Sequence, residues 1–399
     1  MVLNEQTVET EHAVHSTQLY ESGVVSRRGE TVMVAGEGCW MIDSEGRRYL
    51  DMTSSQGVAM LGYDHPALTA ALQQQASRLH ACPNFFHNDM RGAFLQELIA
   101  VTPPHMTRAF LANSGGEAID GAIKFARLAT GRTGIVAARN GFHGRTVGAL
   151  SVTWNPKYRR KFEPLLPDVD FIHFNSSDGL DGAVSDRTAA VVLEVIQAEG
   201  GVHVGDADFL AAAQRVCRER GALLVIDEVQ TGFGRTGRWF GFEHYDLEPD
   251  IIALAKGLGG GFPMGAVVYS DTVQESLFSG AHGSTFGGNP LACAAGVAAL
   301  GVYRDGLIEQ AERAGCRLQE ALEAAIGGRK VVREIRGRGL IIGVDLRTKA
   351  VPFLKTLMEE HGVLALPAGS TVLRLLPPLI IRDDEIDLAV EAIASTLPA

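Results

Sequence analysis

The segment 250–266, "DIIALAKGLGGGFPMGA", places one lysine between an apolar run and a cluster of glycines. Residues 251–255 are all apolar, which predicts a buried strand. The glycines at 257 and 259–261 follow at once, and they are too flexible to continue that strand. Lysine is among the residues least often buried. Lys256 is therefore either an ordinary charge at the end of a strand or a functional group.

Similar apolar runs alternate with helical patterns along much of the chain. The candidate strands are 107–113, 134–139, 170–175, 189–195, 222–228, 251–255 and 265–270. Several are continuous apolar runs, which favours a mostly parallel sheet between two layers of helices. We therefore predict an α/β fold: a large domain over 56–300, a smaller α+β domain over 301–399, and an N-terminal segment, 1–55, that packs with the small domain.

The composition excludes several classes of protein. The 399 residues include 36 Lys+Arg and 47 Asp+Glu, and a net charge of −11 argues against a general binder of nucleic acid or anionic membranes. The five cysteines contain no C-x-x-C pair, which favours reduced, buried thiols. No signal peptide and no run of roughly 18 uncharged apolar residues is visible. We expect a cytoplasmic protein that binds neither nucleic acid nor a membrane.

Polar side chains follow five of the candidate strands at the point where each strand ends. They lie at 113–114, 139–145, 194–199, 227–230 and 256. Because the working residues of open α/β sheets gather at the carboxyl ends of the strands, these positions predict a single site. His65, His143 and His282 lie near them but lack the spacing of metal ligands, so no metal is expected.

The loop Asn113, Ser114, Gly115 and Gly116 opens a helical pattern. Free N–H groups at a helix start, with glycines that allow close approach, favour a bound phosphate or carboxylate. An ordinary capping box of Ser114 and Glu117 would explain the same residues. Nucleotide fingerprints do not fit, because Lys256 precedes its glycines, the reverse of a Walker A loop. A phosphate site without a nucleotide motif indicates another phosphorylated cofactor.

Asp227 and Lys256 end neighbouring candidate strands. A carboxylate at the tip of a buried strand is unfavourable unless it meets a cation or several donors, so Asp227 either caps a helix or pairs with a cofactor's ring nitrogen. An amine becomes a useful nucleophile when its pKa falls from about 10.4. A lysine that forms a covalent bond, a carboxylate at the ring nitrogen and a phosphate cup together specify pyridoxal phosphate.

The order and wording of the motifs carry a resemblance that runs through almost the whole chain. The segment 250–266 is one of the most specific stretches. The others are "NSGGEAIDGAIKFAR" (113–127), "GFHGRT" (141–146), "IDEVQTGFGRTG" (226–237) and "HGSTFGGNPLACA" (282–294). The chain resembles the class III (ω-amino acid) aminotransferases, which use pyridoxal phosphate on the fold type I architecture. Within them it is most similar to the acetylornithine and acyl-lysine aminotransferase branch.

The resemblance implies a role for each motif residue. Lys256 would bind the cofactor covalently, Asp227 would pair with its ring nitrogen, Gln230 would reach its phenolic oxygen and Phe142 would stack on its ring. The other implied cofactor-binding residues are Ser114, Gly115, Gly116, His143, Glu194 and Thr285. The family usually has a small hydroxyl residue or alanine where Gly116 stands. Thr285 would reach the cofactor of a neighbouring subunit, which implies a homodimer.

The resemblance also implies the substrates. Arg145 would bind the distal carboxylate of the amino donor, and Arg374 would bind the α-carboxylate of glutamate through its two-pronged guanidinium. Glu199 would neutralise Arg374 while the donor is bound. Val195 and Ala198 depart from the proline and glycine that the family usually has there.

We therefore expect an aminotransferase that moves the ω-amino group of an N-acylated ω-amino acid, such as N-acetylornithine or N-acyl-lysine, to 2-oxoglutarate. The products would be a semialdehyde and glutamate. Ornithine, 4-aminobutyrate or a simple amine are alternative donors. An aminomutase or racemase that uses the same cofactor, or an inactive binding protein, are the alternative functions.

Overall fold

The computed structural model describes residues 10–24 and 29–399. The prediction that no signal peptide is present depends partly on residues 1–9. These lie outside the described residues. The strands are, in chain order, β1 (Met33–Glu37), β2 (Trp40–Asp43), β3 (Arg48–Asp51), β4 (Met106–Ala112), β5 (Gly134–Ala138), β6 (Val169–Ile172), β7 (Thr188–Leu193), β8 (Ile196–Gln197), β9 (His203–Val204), β10 (Leu223–Asp227), β11 (Ile251–Leu254), β12 (Gly265–Ser270), β13 (Val332–Arg338), β14 (Ile341–Leu346), β15 (Val363–Leu364), β16 (Leu366–Ala368) and β17 (Val372–Leu375).

Helices lie between most of these strands. The longer ones are Thr10–Tyr20, Pro66–Ala76, Asp89–Ala100, Gly115–Thr130, Ala207–Arg220, Pro290–Val302, Ile308–Ile326, Val351–His361 and Asp383–Thr396. The short helical turns are Ser54–Gly57, Val147–Val152, Pro156–Arg159, Arg160–Phe162, Leu180–Ala183, Ala198–Gly201, Gly241–His244, Lys256–Gly259, Asp271–Gln274 and Tyr303–Leu307.

A seven-stranded sheet forms the centre of the fold, in the order β4-β12-β11-β10-β7-β5-β6. Its strands are the seven candidate strands of the sequence analysis, so the predicted mostly parallel α/β sheet is confirmed. Only β12 runs antiparallel to its neighbours β11 and β4. Residues 255–264 alone connect β11 to β12, and a parallel connection needs a crossover of about a dozen residues or more. Because the connection is too short for a crossover, β12 runs antiparallel to β11.

The helix Gly115–Thr130 covers one face of this sheet and packs on β11 and β12. Its buried residues are Ala118, Ile119, Gly121, Ala122, Ile123, Phe125 and Ala126. This three-to-four-residue repeat buries one face of the helix against the apolar strands. As a result, the helix begins beside the carboxyl ends of the neighbouring parallel strands.

Two smaller sheets involve the C-terminal part of the chain. One is antiparallel, in the order β13-β14-β17-β16, and the other has the order β1-β2-β3-β15, with β15 parallel to β3. Trp40 Nε1 also donates a hydrogen bond of 2.7 Å to Glu385 Oε1. Residues near both ends of the chain therefore pack together. The division of the chain at residues 55 and 300 stays a prediction.

The helical run Pro290–Ile326 is long and apolar enough to cross a membrane by length and composition, which the sequence analysis did not foresee. Over half of its most apolar window is buried, and its first part packs against the helices Pro66–Ala76 and Asp89–Ala100. Its apolar residues therefore contribute to the core of the fold.

Candidate active site

A cavity of about 370 Å³ opens at the carboxyl ends of β7, β10 and β11. Ten of the predicted site residues line it: Ser114, Gly115, Gly116, Phe142, His143, Glu194, Glu199, Asp227, Gln230 and Lys256. Arg145, Arg374 and Thr285 were also predicted but are not among its lining residues. The sheet thus brings together side chains that lie far apart in the sequence.

Lys256 lies two residues after the end of β11 and has a left-handed backbone, with φ of +48°. Burial lowers the pKa of its amine to about 8. This pKa already includes the effects of nearby charges: Glu199 and Asp227 raise it, and Arg374 lowers it. About a tenth of the amine is therefore neutral at pH 7, far more than of an ordinary lysine, and the neutral form is the nucleophile.

Asp227 ends β10 and is almost fully buried. Its Oδ1 accepts a 3.0 Å hydrogen bond from the Val229 N–H, and its Oδ2 lies 2.8 Å from Nδ1 of His143. Burial by itself lowers the pKa of His143, but the hydrogen bond and the charge of Asp227 raise it to above its usual value. His143 therefore stabilises the negative charge of Asp227 through this contact.

Glu194 lies just beyond β7, and its Oε2 accepts a 3.1 Å hydrogen bond from the Phe142 N–H. Burial raises the pKa of Glu194 to about 8; the charge of His143 opposes this shift and that of Asp227 adds to it. The carboxyl group is therefore mostly protonated at neutral pH. Through this hydrogen bond it fixes the backbone that carries the Phe142 ring.

The start of the helix Gly115–Thr130 forms another wall of the cavity. Ser114 Oγ accepts a hydrogen bond of 3.2 Å from the Glu117 N–H, as a capping box requires. The Glu117 carboxylate, however, accepts from the backbone and side chain of Asn113 at 3.0 and 2.9 Å. Only half of the predicted capping box is therefore present. The N–H groups at this helix end favour an anion.

Three glycines keep the backbone close to the cavity. A Cβ at Gly115 would lie 3.0 Å from Val229 Cγ1, and one at Gly116 would lie 3.2 Å from Thr146 Cγ2. A Cβ at Gly57 would collide with Oε1 of Gln230. Gly57 also has a φ of +82°, which favours glycine on its own.

These features fit pyridoxal phosphate. Gln230 Oε1 is buried and has no hydrogen-bond partner within the described part of the chain. The cavity volume lies within the range of about 300–1,000 Å³ that is typical of small-molecule sites. A helix N-terminus, an amide oxygen without a partner, a buried carboxylate and a weakly basic amine thus surround one small-molecule cavity.

Arg374 lies on β17 and is buried beside the cavity. Its Nη2 forms an ion pair of 2.6 Å with Oε1 of Glu199, which does line the cavity. Nε and Nη1 of Arg374 are buried and lack a hydrogen-bond partner among residues 10–24 and 29–399. Two nitrogens of this guanidinium are therefore left without a partner while Glu199 holds the third.

Arg145 and Thr285 are both exposed. The guanidinium carbon of Arg145 lies 3.6 Å from the ring centre of Tyr158 and 5.8 Å from that of Phe142. Thr285 lines a second cavity of about 350 Å³, which shares Asn113 with the first. The two cavities are therefore adjacent.

The sequence analysis missed several residues at the site. Val58, Val229 and residues 261–264 line the cavity. The last group lies inside the segment 250–266 and could have been found from it. Tyr158 gave no signal, because its stacking on Arg145 depends on how the segment after the strand β5 folds back.

Comparison with known proteins identifies the family. Residues 24–397 match the family model described as aminotransferase class III. A LysW-aminoadipate semialdehyde transaminase of Deinococcus radiodurans is 45% identical over 381 residues, which cover 95% of this chain and 88% of that protein. An acetylornithine aminotransferase of Methanopyrus kandleri is 43% identical over 375 residues, with coverage of 93% and 95%.

Solved structures of similar fold are also aminotransferases. The ornithine aminotransferase of Toxoplasma gondii is 32% identical and has a TM-score of 0.92, over 97% of this chain and 94% of that one. Another structure of that enzyme is described as having partial occupancy of pyridoxal phosphate at its active site. The chain therefore belongs to the class III aminotransferase family and is a pyridoxal-phosphate-dependent transaminase.

Proposed function

We propose that the protein transfers the terminal amino group of an N-acylated ω-amino acid, of the N-acetylornithine or N-acyl-lysine type, to 2-oxoglutarate. The products are a semialdehyde and glutamate. The observation that carries the proposal is the buried guanidinium of Arg374, which is held by Glu199 at one nitrogen and has two unpaired nitrogens. Relatives at 40–45% identity that act on such compounds, by their names, support the choice of donor.

The residues of the cavity would hold the cofactor at several points. Lys256 would bind it covalently through Nζ, and Asp227 would pair with the ring nitrogen. Gln230 would donate to the phenolic oxygen through its amide, and Phe142 would cover one ring face. The N–H groups at Ser114, Gly115 and Gly116 would bind the phosphate. When bound, pyridoxal phosphate supplies an electron sink for the carbon next to the reacting amine.

Lys256 and Asp227 would then do different work. The Nζ atom of Lys256, displaced by the donor amine, would accept the proton from the donor carbon, for which a pKa of about 8 is well matched. The Asp227 carboxylate would favour a protonated ring nitrogen, and His143 would orient that carboxylate through its 2.8 Å contact. Because charge develops near Asp227 during proton removal, this pair stabilises the transition state more than the ground state.

Arg374 would bind only one of the two substrates. With the ω-amino donor in the cavity, Glu199 neutralises Arg374, and Arg145 at the exposed mouth binds the donor's distal carboxylate. With 2-oxoglutarate or glutamate, Glu199 moves away and the α-carboxylate takes its place on Arg374. A guanidinium suits this exchange, because its N–H groups can donate to either carboxylate.

We propose that the protein is cytoplasmic. A homodimer would complete its site. Phe85, Phe86 and Phe286 are exposed by 60% or more, and the loop of Phe85 contacts that of Phe286, since Asn84 Nδ2 donates to Ser284 O. Such an apolar patch is typical of a protein interface. It adjoins the second cavity, which Thr285 lines. We propose that a second copy covers this patch and that Thr285 reaches the partner's cofactor phosphate.

A panel of half-reactions tests the proposal. The holoenzyme is mixed with N-acetylornithine, an N-acyl-lysine, ornithine, 4-aminobutyrate or glutamate in turn, and the change in cofactor absorbance gives kcat/KM for each. We expect N-acetylornithine or an N-acyl-lysine to exceed ornithine and 4-aminobutyrate. A clear preference for ornithine, whose aminotransferase in T. gondii is a close structural relative, would overturn the choice of donor.

A further inference from the structure

Glu199 lies in a strained turn. The short helix Ala198–Gly201 connects β8 to β9, and Val202 ends it with φ of +54° and ψ of +49°. β-Branched residues rarely adopt this left-handed conformation. Val202 is also fully buried. The surrounding structure must therefore hold the turn in place.

Arg336, on β13, supplies much of that hold. Its Nε lies 3.1 Å from the carbonyl oxygens of Gly201 and of Val202, and its Nη2 donates to the Gly201 oxygen at 2.7 Å. Its Nη1 pairs with Asp345 at 3.2 Å and with Glu334 at 2.7 Å. Only 12% of the Arg336 side chain is exposed. The guanidinium thus fastens the last two residues of the turn to the C-terminal sheet.

The same sheet carries Arg374. In the antiparallel pair of β14 and β17, Gly343 lies opposite Arg374. Val202 packs on this pair so closely that a Cβ at Gly343 would lie 2.9 Å from the Val202 Cβ. The backbone of Glu199 also accepts a hydrogen bond of 3.2 Å from the Gly369 N–H. Both partners of the Glu199–Arg374 ion pair are therefore positioned from one sheet.

We propose that Arg336 is a positioning residue that sets how firmly Glu199 holds Arg374, and thereby sets the preference between the ω-amino donor and glutamate. This inference rests on the proposed role of the ion pair. If the turn loosens, Glu199 neutralises Arg374 less often. The ω-amino donor, which needs Arg374 neutralised, then reacts less well relative to glutamate, which needs Arg374 free.

The measured quantity is the selectivity ratio, defined as kcat/KM for the N-acylated donor divided by kcat/KM for glutamate, each from a half-reaction of the holoenzyme. Arg336→Met should lower this ratio by roughly tenfold, a size typical of coupling between contacting residues. Arg336→Lys keeps the charge beside Asp345 but has a single nitrogen, so we expect a smaller decrease. If the Arg336→Met protein does not fold, the decrease measured for Arg336→Lys tests the proposal instead.

Arg333→Met is the matched control. Arg333 lies on the same strand and pairs with the same Asp345 at 3.2 Å, but the structure gives it no hydrogen bond to the described turn 198–202. Its substitution should leave the selectivity ratio within about twofold of wild type, since most surface substitutions are nearly neutral. A decrease equal to that of Arg336→Met would show a general effect of the sheet and would overturn the proposal.

Glu199→Gln separates the two levels of inference. If it lowers the ratio and the Arg336 variants do not, the positioning role is wrong and the ion-pair switch stands. If Glu199→Gln leaves the ratio unchanged, the switch itself fails, and the positioning role fails with it. In the double variant Glu199→Gln/Arg336→Met we expect no decrease beyond that of Glu199→Gln. A further decrease would mean that Arg336 acts by another route.

Discussion

The Arg374 guanidinium and the Glu199 carboxylate form a 2.6 Å ion pair whose two members differ sharply in exposure: 3% of the arginine side chain is accessible, against 34% of the glutamate side chain. Breaking the pair therefore leaves Glu199 able to reach water, while Arg374 stays buried. An unpaired buried charge is strongly unfavourable. We therefore expect Arg374 to stay in place and Glu199 to move when a substrate carboxylate binds.

Arg374→Ala should impair the two half-reactions unequally. We expect kcat/KM for glutamate and for 2-oxoglutarate to fall by roughly 100-fold, because removing one member of a buried charge pair typically costs at least about 2 kcal/mol. The ω-amino donor should lose much less. Half-reaction kinetics of the holoenzyme measure both. Arg382→Ala, which removes an exposed arginine, is the control. Equal losses in both half-reactions would contradict the assigned role of Arg374.

Lys256 should show its lowered pKa when the cofactor binds. An amine attacks in its neutral form, so the rate at which apoprotein regains visible absorbance with added pyridoxal phosphate should rise with pH up to about 8 and then level off. An ordinary lysine would give a rate that rises to about pH 10. Lys256→Ala should have neither this absorbance nor turnover. A profile without a break near pH 8 would count against the buried, weakly basic amine.

Asp227 and Glu194 should respond differently to replacement by their amides, although both line the same cavity. Asp227→Asn should keep some cofactor but lose most of the rate, because the ring nitrogen loses its anionic partner. Glu194→Gln should retain much of the activity at pH 7, since the carboxyl group, with a pKa of about 8, is already mostly protonated there. Turnover at saturating cofactor measures both. The opposite ranking would reverse these two assignments.

The exposed phenylalanines predict a dependence of cofactor binding on assembly. Phe286→Asp should give monomers in analytical ultracentrifugation and weaken pyridoxal phosphate binding. Thr285→Val should weaken cofactor binding without changing the mass of the assembly in the same measurement. Val351, which is 60% exposed at the start of the helix Val351–His361, provides the control variant Val351→Asp. A Phe286→Asp protein that binds the cofactor as tightly as wild type would exclude a contribution from a partner.

The large sheet could be predicted because its strands are almost uninterrupted apolar runs. The sequence did not indicate the reversed direction of β12, because direction depends on the length of the connection and not on the pattern of the strand. The contact of His143 with Asp227 joins residues 84 positions apart, and no local signal predicts it. The left-handed Val202 is likewise a result of tertiary packing, since the residue alone favours an extended backbone.

Nine of the ten motif residues assigned to the cofactor line the cavity, because that part of its wall is built from segments that follow strands. The substrate side was harder to predict. Arg374 comes from a different sheet, and Tyr158, which stacks on Arg145, lies outside every motif. Such contacts require the relative placement of segments that the sequence leaves open.

The pairing of β3 with β15 has a consequence for how a newly made chain matures. Strands near residues 50 and 363 meet only after almost the whole chain has left the ribosome, and the bond between Trp40 and Glu385 spans 345 positions. The strands that carry Asp227 and Lys256 emerge much earlier than Arg374. We therefore expect a nascent chain to form its cofactor-binding half first and to gain the ability to distinguish its two substrates last.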